Sequence, residues 1–243
     1  DIIYHLAAVE HTNIGIDIDR DWSVNSKSML QLYEACKMKN VFPKIVFTSS
    51  TNIFGNVESE IIDEDTREQV AAIWSAHKIL GENYLRILNK LHDIKYTVLM
   101  LPNVYGPSAS KELMDRMVVN RAVKQALSSK EIQLFDNKSC LRDYIYIDDA
   151  VSAFELLLEV DKEYFNGARF LLGTNKRRTI EDVWQVIASE IPGTTIKYND
   201  IKLASVEYRN YNSNIQKFNS VTGWAPKVTI KQGITNTIKA YND

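Results

Sequence analysis

Short apolar runs alternate with stretches of helical spacing along most of this chain, and that alternation restricts the fold more than any other feature. Runs near residues 2 to 7, at Lys44 to Thr48 and at Tyr96 to Leu101 read as strands, while Ser23 to Lys39 and Gln69 to Leu91 carry helical spacing between them. Strands joined through helical crossovers pair in parallel, so the expected fold is α/β with a doubly wound, mainly parallel sheet. The helix over residues 69–91 sets Val70, Ile73, Trp74, His77, Leu80, Tyr84, Leu88 and Leu91 near one stripe, with Lys78, Glu82 and Arg86 to one side. That stripe is expected to pack on the sheet.

A helix around Glu112 to Leu127 follows, then strands at Ile132 to Phe135 and Tyr144 to Ile147, and a helix from Asp148. Beyond about residue 165 the pieces shorten: a strand at Arg169 to Leu172, a helix from Thr179 to Glu190 capped by Thr179, and a closing helix from Ile230. The expected organisation is a first domain over residues 1–164 with interleaved segments of a second lobe, and a smaller C-terminal α/β lobe over 165–243. The chain opens Asp1-Ile2-Ile3-Tyr4-His5-Leu6-Ala7-Ala8 without Met and runs at once into a segment of buried-strand type, as if an N-terminal portion of the fold were missing.

With 243 residues, of which 45% are hydrophobic, the chain can bury a large core. Its 29 basic and 31 acidic residues nearly cancel, which argues against nucleic acid or an anionic membrane as partner and for a small-molecule ligand. No apolar run reaches the roughly 20 residues needed to span a bilayer. Two cysteines, Cys36 and Cys140, are too few for a disulfide framework or a metal cluster, and they suit a reducing cytoplasm.

Ordered motifs accompany this rhythm: His5-Leu6-Ala7-Ala8, Asn25, Thr48-Ser49-Ser50 running to Phe54-Gly55, Ser75 to Lys78 with Gly81-Glu82, Pro102-Asn103-Val104-Tyr105-Gly106-Pro107, Arg142-Asp143-Tyr144-Ile145-Tyr146-Ile147-Asp148-Asp149, and Gly223-Trp224 with Pro226. In this set the chain resembles the extended short-chain dehydrogenase/reductase family, specifically its NAD-dependent epimerase/dehydratase branch, which includes UDP-glucose 4-epimerase. The resemblance implies a Rossmann-like fold, an NAD or NADP cofactor, a nucleotide-diphosphate sugar as substrate, and a homodimer formed by a four-helix bundle from the helices at 23–39 and 69–91. It also implies that residues 1–8 form the fourth strand, with the Gly-rich turn that holds the cofactor pyrophosphate upstream.

By resemblance, Leu6, Ala7, Ala8, Asn25, Thr48 and Pro102 line the cofactor. Ser50 hydrogen-bonds the sugar oxygen undergoing oxidation, and Lys78 bonds the nicotinamide ribose and lowers the pKa of a Tyr four residues earlier. Here that position holds Trp74. An indole has one N–H donor, no acceptor and no accessible deprotonation, so it cannot exchange the sugar proton. His77 could exchange a proton near neutrality, but the family helix aims the Tyr and Lys positions at the substrate, and local packing is its expected role.

Thr51 and Asn52 stand among the substrate-binding positions, where dehydratases of the family carry an Asp-Glu pair, so elimination of water is disfavoured. Asn103 matches a residue that contacts the sugar or diphosphate. Arg142 resembles the arginine that grips the diphosphate and Arg209 the second one, near the nucleotide base, although a salt bridge from Arg142 to Asp143 or Asp148 is the plain alternative. Asp148 and Asp149 are expected to cap the following helix. Met100 replaces an Arg common in the family, which removes a structural charge pair. The two readings left open are a nucleotide-sugar enzyme slowed by Trp74 and a silent relative acting through binding or interaction.

Overall fold

The computed structural model describes residues 1–9, 17–57, 61–108, 115, 117–159, 163–203 and 205–242. In chain order its first elements are β1 (Ile2–His5), α1 (Ile18–Trp22), α2 (Ser28–Lys39), β2 (Lys44–Ser50), β3 (Ile61–Ile62), α3 (Ile73–His92), β4 (Tyr96–Leu101) and β5 (Asn103–Tyr105). They are followed by α4 (Val118–Ser129), β6 (Glu131–Phe135), β7 (Leu141–Arg142), β8 (Tyr144–Tyr146), α5 (Ile147–Glu159), β9 (Ala168–Leu171), β10 (Arg178–Thr179) and α6 (Ile180–Glu190). β11 (Thr195–Asn199), β12 (Asn212–Ser213), α7 (Gln216–Thr222) and α8 (Ile230–Asn242) complete the chain. The helix expected from Glu112 begins at Val118, and residues 111–114 and 116 lie outside the described ones.

The chain divides into two compact units. The first comprises Asp1–Gly55, Glu64–Leu101 and Leu156–Leu171, and the second Asn56–Asp63, Pro102–Glu155 and Leu172–Asp243. The boundary is therefore not a single point near residue 165. The chain leaves the first unit at the end of β4 and must return, because β9 pairs in parallel with β4.

In the first unit a parallel sheet runs β1-β2-β4-β9. β2 and β4 are buried nearly throughout, as their continuous apolar runs require. β1 is half-buried along its whole length and is followed in the sheet by β2. Ile45, Val46, Phe47, Val98, Leu99, Leu85, Phe165 and Phe170 form the core.

Two local features of this unit differ from the expected helices. The helix of residues 23–39 is a longer Ile18–Lys39 helix interrupted by a π turn at Ser23–Lys27. α3 starts at Ile73, and its buried face is Ser75, Lys78, Gly81, Glu82, Leu85 and Leu88. Of the predicted stripe, Leu88 is buried, Trp74, His77, Leu80 and Tyr84 are half-buried, and Ile73 and Leu91 are 54% and 70% exposed, so the stripe flanks the buried face instead of forming it. Periodicity misassigned the faces because two charged residues, Lys78 and Glu82, point inward.

In the second unit the pairs β5-β8, β11-β6 and β12-β3 are parallel, and β10-β7 is antiparallel. α4, α6 and α8 cover a core of Val119, Val123, Ile132, Leu134, Tyr144, Val183, Ile187 and Ile234. α6 begins with the predicted cap, strengthened into a reciprocal box: Thr179 accepts from the Asp182 N–H and Asp182 from the Thr179 N–H, both at 3.0 Å. Asp149 does not cap α5. Its carboxylate accepts the backbone N–H groups of Lys227 and Val228 at 2.9 and 3.0 Å.

Candidate active site

Three elements of the first unit converge on Lys78. The end of β2 presents Thr48, the π turn presents Asn25, and α3 carries Lys78 inward. Lys78 is 3% exposed, and its Nζ donates to the Thr48 carbonyl at 2.9 Å and lies 4.8 Å from the Phe47 ring centroid. Burial pushes this ammonium down to about 8, against the smaller pull of Glu82 and Asp21 in the other direction. An ammonium has three donors, and one is used on Thr48, so donors remain for hydroxyls of a ligand.

Beside it, β2 ends at Ser50, whose side chain accepts from the Asn52 N–H at 3.2 Å, and Thr51 begins a tight turn that buries it. Ser75 Oγ donates to the Asn52 carbonyl at 3.4 Å, tying α3 to that turn. Gly55 closes the turn at φ 58°, where an added Cβ would meet the Gln69 carbonyl oxygen at 1.7 Å. Trp74 is half-buried at the start of α3. Leu6, Ala7 and Ala8 follow β1 and are exposed.

Asn25 binds both backbone groups of Val9, accepting its N–H at 3.1 Å and donating to its carbonyl at 2.7 Å. Its amide also donates to Asp21 at 2.7 Å, and the same Asp21 oxygen lies 2.8 Å from His77 Nδ1. At about 100° per residue, His77 lies some 160° around α3 from Ser75, so it faces Asp21 and not the Ser50 turn. Sequence reasoning missed Asp21. Its signal was a carboxylate four residues before Asn25, at helical spacing.

Met100 also has a neighbour that the sequence did not reveal. Arg169, on β9, donates to Met100 Sδ at 3.5 Å and pairs with Glu68 and Glu82, each at 3.0 Å. Burial raises the Glu82 carboxyl above its ordinary range, and Arg169 opposes that shift. A buried charge pair thus stands beside Met100, with its cation on the adjacent strand.

In the second unit Asn103 Nδ2 donates to the Asp143 carbonyl and to the Tyr211 hydroxyl, both at 3.1 Å. Arg142 stacks over Tyr211 at 6.0 Å and makes no salt bridge to Asp143. It donates to the carbonyls of Leu141 at 3.1 Å, Glu207 at 2.9 Å and Arg209. Both Arg142 and Arg209 are buried. Asp143 accepts from Thr174, and Gly173 is obligatory there because a Cβ would lie 2.4 Å from Asp143 Oδ2. Pro102 is buried at the first residue of this segment.

The profile of the NAD dependent epimerase/dehydratase family matches residues 1–173. The chain belongs to this family. A UDP-glucose 4-epimerase of Mycolicibacterium smegmatis is 26% identical over 246 residues, covering 100% of this chain and 76% of the relative. Among solved structures, a Thermotoga maritima UDP-glucose 4-epimerase with UDP-glucose aligns at TM-score 0.87 with 26% identity, over 99% of this chain and 77% of its own. A Bacillus cereus UDP-glucuronic acid 4-epimerase with UDP-glucuronic acid and NAD aligns at TM-score 0.88 and 24% identity, over 100% and 75%, and shares the fold.

The residues around Lys78 fit the nicotinamide end of the family's cofactor: a desolvated cation with free donors beside the end of a parallel strand. No G-x-G-x-x-G run occurs in residues 1–243, and no contact is assigned to the pyrophosphate end.

Proposed function

We propose that this chain serves an NAD(P)-dependent nucleotide-sugar epimerase or oxidoreductase whose proton-transfer step is impaired by Trp74. The observation that carries the reading is Lys78, a cation kept buried with a single backbone acceptor. Burying a charge without a carboxylate contact costs stability and is hard to account for as packing alone. The named activities of the relatives support a UDP-linked sugar as substrate class.

NAD or NADP, when bound, supplies reversible hydride acceptance. Lys78 holds the ribose hydroxyls, and Asn25 fixes the backbone at Val9 after β1. Ser50 donates its hydroxyl to the sugar oxygen being oxidised. Asn103 orients the sugar or diphosphate, and Arg142, which also holds the Glu207 and Arg209 carbonyls, supplies the cation for the diphosphate, with Arg209 toward the nucleotide base. Thr51 and Asn52 lack the acid and base needed to eliminate water, which favours epimerisation or simple redox chemistry over dehydration.

Trp74 favours a second reading, a catalytically silent member that binds ligand or partner. In either case we assign a homodimer through α2 and α3, whose outer faces expose Leu30, Met38, Ile87 and Leu91, and a cytoplasmic location, consistent with two free cysteines. No helix among the described residues is long and apolar enough to cross a membrane. Calorimetric titration with UDP, dTDP and GDP sugars tests the reading. Micromolar binding of one sugar nucleotide supports a working substrate site, and no binding of any of them removes the enzyme reading.

A further inference from the structure

The second unit contains a cavity of about 340 Å³ whose walls include Lys176, Arg178 and Lys227, together with Tyr144, Ile215 and Val228. Asn103, Arg142 and Arg209 do not line it. None of the described residues lining it is acidic, and none of the three cationic side chains makes an ion pair or a hydrogen bond with a described residue. Three like charges around one cavity repel each other, an arrangement that a bound anion relieves.

The cavity is also built from fixed parts. Asp149 holds the backbone N–H groups of Lys227 and Val228 at 2.9 and 3.0 Å, and Asp143 holds the Thr174 N–H at 3.0 Å. These nearby carboxylates are engaged by backbone donors and anchor the two loops instead of neutralising the cations. Arg178 sits on β10, which is paired to β7. The lining therefore combines three cations, carried on backbone that is held in place, with apolar and aromatic side chains.

We propose that this cavity is an anion-binding site, separate from the nucleotide-sugar residues, for a phosphate monoester carrying a compact apolar or aromatic group. A phosphate monoester brings roughly −1.5 to −2 charges at neutral pH and three acceptor oxygens, a closer match to three cations than a monocarboxylate offers. Its organic part lies against Tyr144, Ile215 and Val228. The site does not depend on whether the chain is an active epimerase.

Phenyl phosphate is the probe, titrated calorimetrically into the whole chain, with inorganic phosphate and phenol alongside. Phenyl phosphate is expected to bind more tightly than either, with affinity weakened on the order of tenfold in Arg178→Ala and in Lys227→Ala, and unchanged by excess UDP. Lys227 is exposed, so its replacement leaves folding intact if Arg178→Ala does not. Equal affinity for the wild type and Lys227→Ala, displacement by UDP, or no binding of phenyl phosphate overturns the proposal.

Discussion

Arg169 Nε lies 3.0 Å from Glu82 Oε2, reaching from β9 past Met100 to α3. In the strand register Arg169 pairs with Val98, so Met100 is its diagonal neighbour. A positive charge is thus delivered to a buried carboxylate by a different strand from the one the motif suggests. Arg169→Met leaves Glu82 without that charge and is expected to cost about 3 kcal/mol or more in chemical denaturation at neutral pH. Glu82 already has a raised pKa, so the folded chain holds its proton more readily than the unfolded one, and stability gains as pH falls toward the ordinary carboxylate range. The deficit of Arg169→Met should therefore shrink in acid, and a pH-independent deficit refutes the pairing.

Trp74→Tyr restores a phenol one helical turn before Lys78, whose charge lowers a phenol's pKa toward neutrality. With NAD and the sugar nucleotide that binds best, turnover is expected to rise roughly 10²- to 10⁴-fold, the usual contribution of a positioned acid-base group. Unchanged turnover in a variant that still binds the sugar nucleotide rejects Trp74 as the cause of impairment.

Lys78 gives a second pH signature. Burial disfavours its ammonium, so the cost to the folded state is full below about pH 8 and fades as pH rises toward 10.5. Relative to Lys78→Met, the wild type should gain stability across that window, on the order of 3 kcal/mol at its end. Urea midpoints of both proteins taken every half unit above neutrality provide the check, and parallel curves contradict it.

Gly173→Ala drives a Cβ against Asp143 Oδ2 and Ser213 Cβ, at 2.4 and 2.5 Å. Neither neighbour is the loose end of a long chain, so the variant should lose about 1–3 kcal/mol and melt several degrees lower. Asn103 hangs from the Asp143 carbonyl, and a weaker hold on the sugar nucleotide should accompany the stability loss. A melting temperature equal to wild type counts against this account.

The strands and the parallel sheet were legible because β2 and β4 are buried on both faces and read as continuous apolar runs. The Thr179 cap was legible from chemistry confined to four residues. The orientation of α3 was not, since a hydrophobic stripe cannot reveal that Lys78 and Glu82 are the inward residues. Ser50, Lys78 and Asn103 could be singled out from local motifs. Of their supports, Asp21 left a local signal in its spacing to Asn25, whereas Arg169 and Tyr211 left none, because each reaches its partner through pairing of distant segments, and Tyr211 meets Asn103 across 108 positions.

The π turn at Ser23–Lys27 amounts to one surplus residue that a continuous helix has absorbed. Removing a single residue there would let the helix close into regular turns on either side, with Met29 still facing the core. What would vanish is the bulge that carries Asn25 out to grasp Val9 by both its backbone groups. A change that spares the scaffold would unfasten the chain just beyond β1, so tolerance of deletion at these five positions separates what this helix does for folding from what it does for the site.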